Sequence, residues 1–399
     1  MRFLTRTIWI LSIVSMFADV ASEMLYPVVP VYLRQIGFSV LLIGLLEGLA
    51  EFTASLSKGY FGNLSDVSGK RLPFVRLGYF LSGLSKPLMA VYTWSWWIFG
   101  ARTLDRLGKG LRTAARDAIL SSETKPETKA RVFGFHRGWD TVGAVLGPAA
   151  ALIYLHFHPG NYVPLFYLAF IPGMAAVALL FLIKEKKKVN RSSVKPHFFS
   201  FFGYWKTCGT NYRALVTGLL IFALANSSDV FLLLKSKEIT GSDSLTILAY
   251  IFYNLVYALA SFPAGILADR LGLRKILQAG LLLFCMVYAG FAFASGTYTV
   301  FILFFIYGFF AACTDGVSKA WITNLAPPEE TATAIGLFTS LQSIAAFSAS
   351  LLAGLLWNMA GSQMLFLFSA ALALVSVLFL KLRVAEKNVE EPASNLESR

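Results

Sequence analysis

The sequence predicts an all-α membrane protein of twelve transmembrane helices, built as two parallel six-helix pseudo-repeats. Three observations predict it: a composition suited to lipid, the regular recurrence of apolar stretches, and a ten-residue pattern that returns half a chain later. Hydrophobic residues make up 56% of the 399 residues and charged residues 14%, with a mean hydropathy of +0.64. A soluble chain of this length needs more polar surface. A spanning helix takes about 20 mostly apolar residues. Such stretches fall at 7–33, 40–62, 73–93, 95–119, 133–155, 163–183, 214–235, 244–267, 275–295, 297–322, 332–358 and 361–382.

The connections between them are short and turn-like, as at Ser65–Gly69, His158–Asn161 and Pro327–Glu329. The expected organisation is a first six-helix half (1–184), a basic linker (185–213), a second half (214–383) and a polar tail (384–399). The opening stretch is expected to be span 1 and not a cleaved signal, because it is too long, lacks a small-residue cleavage pattern and contains Asp19 and Glu23. Three cysteines, Cys208, Cys285 and Cys313, offer neither a disulfide framework nor metal spacing. No metal or cofactor is expected.

Net charge is +13, a value that in a soluble chain would suggest nucleic acid. Its distribution removes that reading. Of 35 Lys and Arg, 23 lie in loops and at span ends on the Met1 side, 3 on the opposite side (Arg34, Lys235, Lys237) and 9 inside the spans. This is the positive-inside bias, and it places both termini and the linker in the cytoplasm, with the linker's lysines beside anionic lipid. A bacterial inner membrane is the expected location. The spans also hold nine acids, so the buried charge is balanced. Ionised groups in hydrocarbon are expensive and must pair or face a wet cavity. Eighteen of them point to a translocation pathway.

The repeat is visible in two ten-residue stretches. Residues 62–71 read Gly-Asn-Leu-Ser-Asp-Val-Ser-Gly-Lys-Arg, and 265–274 read Gly-Ile-Leu-Ala-Asp-Arg-Leu-Gly-Leu-Arg. Gly62, Asp66, Gly69 and Arg71 coincide with Gly265, Asp269, Gly272 and Arg274 at an offset of 203. Ser22-Glu23 corresponds to Ser228-Asp229, and Gly134 to Gly336, at nearly the same spacing. Parallel repeats around a midplane site are a known transporter plan. This duplicated pattern after the second span of each half resembles the signature loop of the major facilitator superfamily, and the resemblance extends over nearly the whole chain. It implies a gating loop on the cytoplasmic face. There the glycines permit a tight turn, Asp66 sits at a helix N-terminus or pairs with a cation, and Lys70, Arg71, Arg274 and Lys275 hold the loop to the membrane face.

The charged core lies mainly in the first half. Asp19 and Glu23 share one helix face, with Asp19 about 18 Å into span 1. Two close carboxylates in a low dielectric do not both stay ionised easily, which suits a proton carrier. Direct ion pairs to span 4 are the plainer alternative. In span 4, Arg102, Asp105, Arg106, Lys109, Arg112 and Arg116 form one stripe that must face the bundle interior. Arg112 and Arg116, nearer the cytoplasm, are assigned to the gate, bracing Asp66 or Asp117, with contact to substrate as the equal alternative. Glu47, Glu51 and Lys58 in span 2 are placed to counter that stripe. Span 5 carries Gly134, Arg137, Asp140, Gly143, Gly147 and Pro148. The glycines suit close packing and the proline a bend. The second half offers Asn226, Asp229, Asn254, Tyr257, Asp315, Lys319 and Gln342, with Asp315 and Lys319 four apart and able to pair locally.

A span-4 arginine resembles a recurrent feature of the family's proton antiporters. The run Asp105-Arg106-x-Gly-Lys-Gly-x-Arg resembles a bacterial permease branch known mainly by sequence. The span-5 pattern resembles the family's exporters, although Ala151-Leu152 replaces the usual Gly-Gly. Together these imply a proton-coupled secondary transporter of a small organic solute working by alternating access, in the direction of efflux. The first half couples protons and the second supplies neutral contacts. Protonation of Asp19 or Glu23 weakens ion pairs to span 4 and leaves a basic cavity suited to an anionic or zwitterionic solute. An importer of a polar anion, such as a siderophore-like compound, and a ligand sensor are the alternatives. Neither a phosphate-binding loop nor a nucleophile elbow is present, so no enzyme is expected. A monomer is expected.

Overall fold

The computed structural model describes residues 4–26, 28–38, 40–184 and 197–384. Among them there is helix and no strand. Span 1 is α1 (Arg6–Leu25) followed by α2 (Val28–Gln35), span 2 is α3 (Val40–Val67) and span 3 is α4 (Leu72–Val91). Spans 4 to 6 are α5 (Ser95–Ser122), α6 (Lys129–Phe157) and α7 (Val163–Leu180). After a short α8 (Tyr204–Thr207), span 7 is α9 (Thr210–Ala225) and α10 (Val230–Thr240). Spans 8 to 10 are α11 (Asp243–Leu271), α12 (Leu273–Phe293) and α13 (Thr297–Leu325). The 53-residue α14 (Thr331–Arg383) crosses twice, turning at Gly361, whose φ of 81° only glycine adopts readily.

The solvent of this surface is lipid. Large apolar side chains such as Ile171, Leu259, Phe347 and Leu382 are exposed around the bundle, an arrangement a water-soluble monomer does not tolerate. Tyr92, Trp94 and Trp96 are exposed where α4 passes to α5, the level at which aromatic side chains anchor a membrane interface. Among the described residues, eight helical segments, α14 among them, are long and apolar enough by themselves to cross a bilayer, and α5 is not one of them. Its charges are tolerated because α3 and α4 cover it.

The two halves have the same internal packing. In the first, α1 lies on α6 and α7, and α5 on α3 and α4. In the second, α9 lies on α14, and α13 on α11 and α12. The halves meet along α6–α11 and α3–α14, which are the same pair of spans exchanged by a two-fold.

Three expectations are corrected. Spans 1 and 7 are broken and not continuous. Span 7 parts at Asn226–Asp229, where short polar side chains compete with the helix for backbone groups. Span 1 parts after Tyr26, just ahead of Pro27, which lacks the amide a helix needs. Glu23, in the last turn of α1, and Asp229, at the break in span 7, are the acids related by the repeat. The gating loops are mostly helix: α3 continues to Val67 and α11 to Leu271, so Gly62 and Asp66 sit in helical turns, as do Gly265 and Asp269. Only Ser68–Arg71 and Gly272 connect, with φ of 65° at Gly69 and 102° at Gly272.

Span 5 explains its own glycines. α1 and α6 run side by side in a constant register: Ser12 meets His136, Ser15 meets Asp140, Asp19 meets Gly143 and Glu23 meets Gly147. A Cβ on Gly143 would strike the Met16 carbonyl, and one on Gly147 would come within 2.7 Å of the Val20 carbonyl. Gly134 and Gly138 face the other half, against Ser261 and Ala258 of α11. Gly143→Val is therefore expected to destabilise the protein by roughly 1–3 kcal/mol. Gly100→Val, at a helical glycine with open space around it, is expected to be nearly neutral. Thermal unfolding in detergent compares the two.

Candidate functional site

The terminal face, which carries Thr5 and Val384, is where the halves are clasped. Asp66 of α3 accepts hydrogen bonds from the Thr333 amide (2.7 Å) and hydroxyl (3.0 Å) at the N-terminus of α14. Asp269 of α11 accepts from the amides of Ala130 and Arg131 (both 3.1 Å) at the N-terminus of α6. These are one interaction made twice, since 130–131 and 332–333 correspond in the repeat. A carboxylate there satisfies orphan amides and meets the positive end of the helix dipole. Arg71 (2.6 Å) and Arg131 (2.7 Å) each pair with the capping carboxylate. Arg71 also donates to the carbonyls of Ala118 and Pro328. Arg274 does not mirror it and donates to the Lys381 carbonyl instead.

Glycine sets how closely the clasped helices approach. A Cβ on Gly62 would strike Ala332, and one on Gly265 would strike Ala130. Deeper along the same seam, Lys58 donates to Ser343 (3.0 Å) and Ser340 to the Ser55 carbonyl (2.5 Å). Lys129 reaches the Thr323 carbonyl at 2.8 Å.

Above the clasp lie two ion-pair clusters that also join the halves. Asp117 of α5 is fully buried between Arg116 (3.0 Å) and Lys319 of α13 (2.8 Å). Asp140 accepts from Ser15 (2.5 Å) and pairs with Arg137 (2.6 Å). Arg137 in turn pairs with Asp315 of α13 at 3.1 Å, and Tyr257 hydrogen-bonds both Arg137 and Asp315 at 2.5 Å. The expected local pair of Asp315 with Lys319 is thus replaced by two pairs to opposite members of the other half. Arg116 also donates to Ser15 (2.9 Å) and Tyr79 (3.4 Å), and Arg112 lies 4.1 Å over the Tyr79 ring. Of the two, Arg116 braces Asp117, and neither reaches Asp66 among the described residues.

The Arg137 and Asp315 side chains are 38% and 45% exposed although they lie within spanning helices. Lys109, in the middle of α5, is exposed as well. The contacts of the terminal seam close the bundle below them. This is the water-accessible chamber that the buried charges require.

Asp19 and Glu23 line that chamber. Asp19 has Asp140, Glu23, Lys109 and Arg112 as its charged neighbours, and Glu23 has Lys109, Arg106, Asp140 and Lys86. Neither carboxylate makes an ion pair or hydrogen bond among the described residues, which corrects the expectation that protonation would break direct pairs to span 4. In that span Arg102 pairs with Asp105, Arg112 lies over Tyr79 and Arg116 pairs with Asp117. Asp105 takes Lys86 (2.9 Å), Arg102 (3.3 Å) and Ser82 (2.6 Å), and Lys86 also donates to Ser22 (3.3 Å). Glu47 and Glu51 fall on α3, and their side chains lie outside the described residues.

The remaining second-half residues do not join one cluster. Asp229 accepts from Tyr307 at 2.8 Å. Asn254 donates to the Tyr250 carbonyl one turn back on its own helix. Asn226 is left at the break with a buried, unpartnered Oδ1. Gln342 is exposed. Sequence reading assigned no role to Ser15, Tyr79, His136 and Tyr307. Only Lys86 among the missed groups carried a signal, as a cation deep in an apolar span.

A multi-pass helical bundle of two clasped repeats around a charged central chamber is the architecture of a membrane transporter. The chain belongs to the Major Facilitator Superfamily: the family model matches residues 11–252 and 230–398. An uncharacterised transporter of that type from Methanocaldococcus jannaschii is 33% identical over 388 residues, 95% of each chain. The multidrug resistance efflux pump PmrA homologue of Lactococcus lactis is 23% identical over 356 residues, 81% of each chain. Among solved structures, the fold is similar to that of the E. coli fucose:proton symporter FucP in its outward conformation, with a TM-score of 0.79 and 14% identity over 96% of this chain and 99% of FucP. As a member of this family the chain carries a small-molecule substrate across the membrane.

Removing the anion from a buried pair leaves uncompensated cations, which typically costs about 3–5 kcal/mol. Asp117→Asn is expected to destabilise by that order, and adding Lys319→Met to recover part of the loss. Unfolding temperatures of the single and double variants check this.

Proposed function

We propose that the chain is a secondary active transporter that exports a small organic solute in exchange for protons by alternating access, with both termini in the cytoplasm of a bacterial cell. The observation that carries the coupling is the state of Asp19 and Glu23: two carboxyl groups one helical turn apart, facing Lys109 across the chamber and locked in no ion pair among the described residues. A carboxyl group free of a fixed partner gains or loses a proton as the chamber changes its exposure, and the change alters the field on Arg106, Lys109 and Arg112. The closed terminal face and reachable Arg137 correspond to the outward-open end of the cycle, with Asp66 and Asp269 as its gate.

Efflux is supported by the likeness to the Lactococcus multidrug pump and by the span-5 glycines, which set α1 against α6 at the height of the two acids. A chamber lined by Arg106, Lys109, Arg112 and Arg137 suits an anionic or zwitterionic solute. The charges of the second half serve the seam, through Asp315 and Lys319, and the Asp229–Tyr307 pair is left for neutral contact with the solute. Monomers suffice for this cycle, because gate and chamber lie within one chain.

In proteoliposomes, Asp19→Asn and Glu23→Gln are expected to abolish transport driven by a pH gradient while sparing counterflow of solute against solute. Asp229→Asn is expected to keep the response to the gradient. The reverse pattern would move coupling into the second half and overturn the assignment. Uptake against efflux in vesicles of known orientation decides the direction.

A further inference from the structure

A second site lies outside the central chamber, on the flank of the second half at the terminal face. There an apolar groove of about 480 Å³ separates α9 from α14, a size ordinary for a small-molecule site. Phe202 and Trp205 form its mouth, Thr217 and Leu224 line one wall, and Leu337 and Leu341 line the other. From Thr217 to Leu224 the helix rises about 10 Å, so the groove descends from the membrane surface into the hydrocarbon.

Its upper end is basic. Arg213 precedes Thr217 by one turn and belongs to the same stripe of α9 as Leu220 and Leu224, at i, i+4, i+7 and i+11. The Arg213 Nε is buried and has no hydrogen-bond partner among the described residues. Lys206 is exposed beside Trp205. A cation with an unused donor above an apolar slot in a membrane matches one chemistry: an anionic headgroup carrying an acyl chain. The chain's own linker is a poor filler, because residues 185–196 contain only Val189 and Val194 as large apolar side chains.

We infer that this groove binds an anionic phospholipid, with one acyl chain between α9 and α14 and the headgroup phosphate held by Arg213 and Lys206. Headgroup attraction to basic side chains and burial of methylenes act together in such a site. The location gives the lipid an effect. Leu337 follows Gly336 directly and Thr333 by one turn on α14, with Leu341 a turn further on, and Thr333 and Gly336 are what Asp66 and the Lys58 carbonyl clasp from the other half. A bound chain therefore braces the helix that closes the terminal face.

The test uses the purified full chain in detergent, titrated with phosphatidylglycerol, phosphatidylcholine or inorganic phosphate and read by native mass spectrometry. Arg213→Gln removes the headgroup contact and Thr217→Trp fills the slot. Lys275→Gln removes an exposed charge of the same face away from the groove. Each variant is first required to unfold at the wild-type temperature, with Leu220→Phe replacing Thr217→Trp if that one does not. The expected result is a loss of phosphatidylglycerol binding of about tenfold, near 1.4 kcal/mol, in the headgroup and slot variants and none in Lys275→Gln. Phosphatidylcholine and phosphate bind the wild type more weakly than phosphatidylglycerol. Three results would overturn the site: equal phosphatidylglycerol binding by all variants, an equal loss in Lys275→Gln, or phosphate matching phosphatidylglycerol.

Discussion

Everything in this molecule answers to the cost of placing ionised side chains inside a bilayer. A guanidinium or carboxylate facing acyl chains is unfavourable by several kcal/mol even after snorkelling and local thinning. The chain removes that cost by turning every charged span inward and closing two six-helix halves around the result. α5 shows it most directly: by composition it is a poor membrane helix, and it holds its place because its own Asp105 and Asp117 pair with its cations Arg102 and Arg116 and with Lys86 of α4 and Lys319 of α13. The chamber is thus required by the charges and also made of them.

The seam follows a second constraint, that two rigid halves must meet tightly and still be able to part. The solution is used twice. A glycine lets the α3 or α11 backbone touch the N-terminal turn of α14 or α6, and an aspartate four residues further along the same helix caps the exposed amides. Such a contact is strong when aligned and vanishes entirely on a small rotation, because a helix N-terminus offers its amides in one direction only. Packing of this kind favours two discrete arrangements over a continuous slide.

Much of this was legible in the sequence. Span number, the repeat and the inward stripe of α5 follow from periodicity and charge, and Asp66, expected at a helix terminus or beside a cation, meets both. The partners of the deeper charges did not follow. Asp315 and Lys319 look like a local pair because four-residue spacing is the only relation a sequence displays, whereas their partners Arg137 and Asp117 come from the other half and are fixed by docking of the repeats. The breaks in spans 1 and 7 were hidden for a different reason: hydropathy continues through Pro27 and Asn226, and apolar character does not report whether a helix stays intact. Ser15, Tyr79 and His136 were missed because small or aromatic polar groups are common in spans and take on meaning only from the ion beside them.

One turn of α13 sets an electrical property of the whole protein. It presents Asp315 and Lys319 to cations and anions of the first half in opposite senses, so the moving turn is neutral. Parting the halves there drags no net charge through the membrane potential, which otherwise weighs about 2.3 kcal/mol per elementary charge at 100 mV. Any voltage dependence of turnover then belongs to the cargo and, in the proposed coupling, to the chamber carboxyls, and not to this turn.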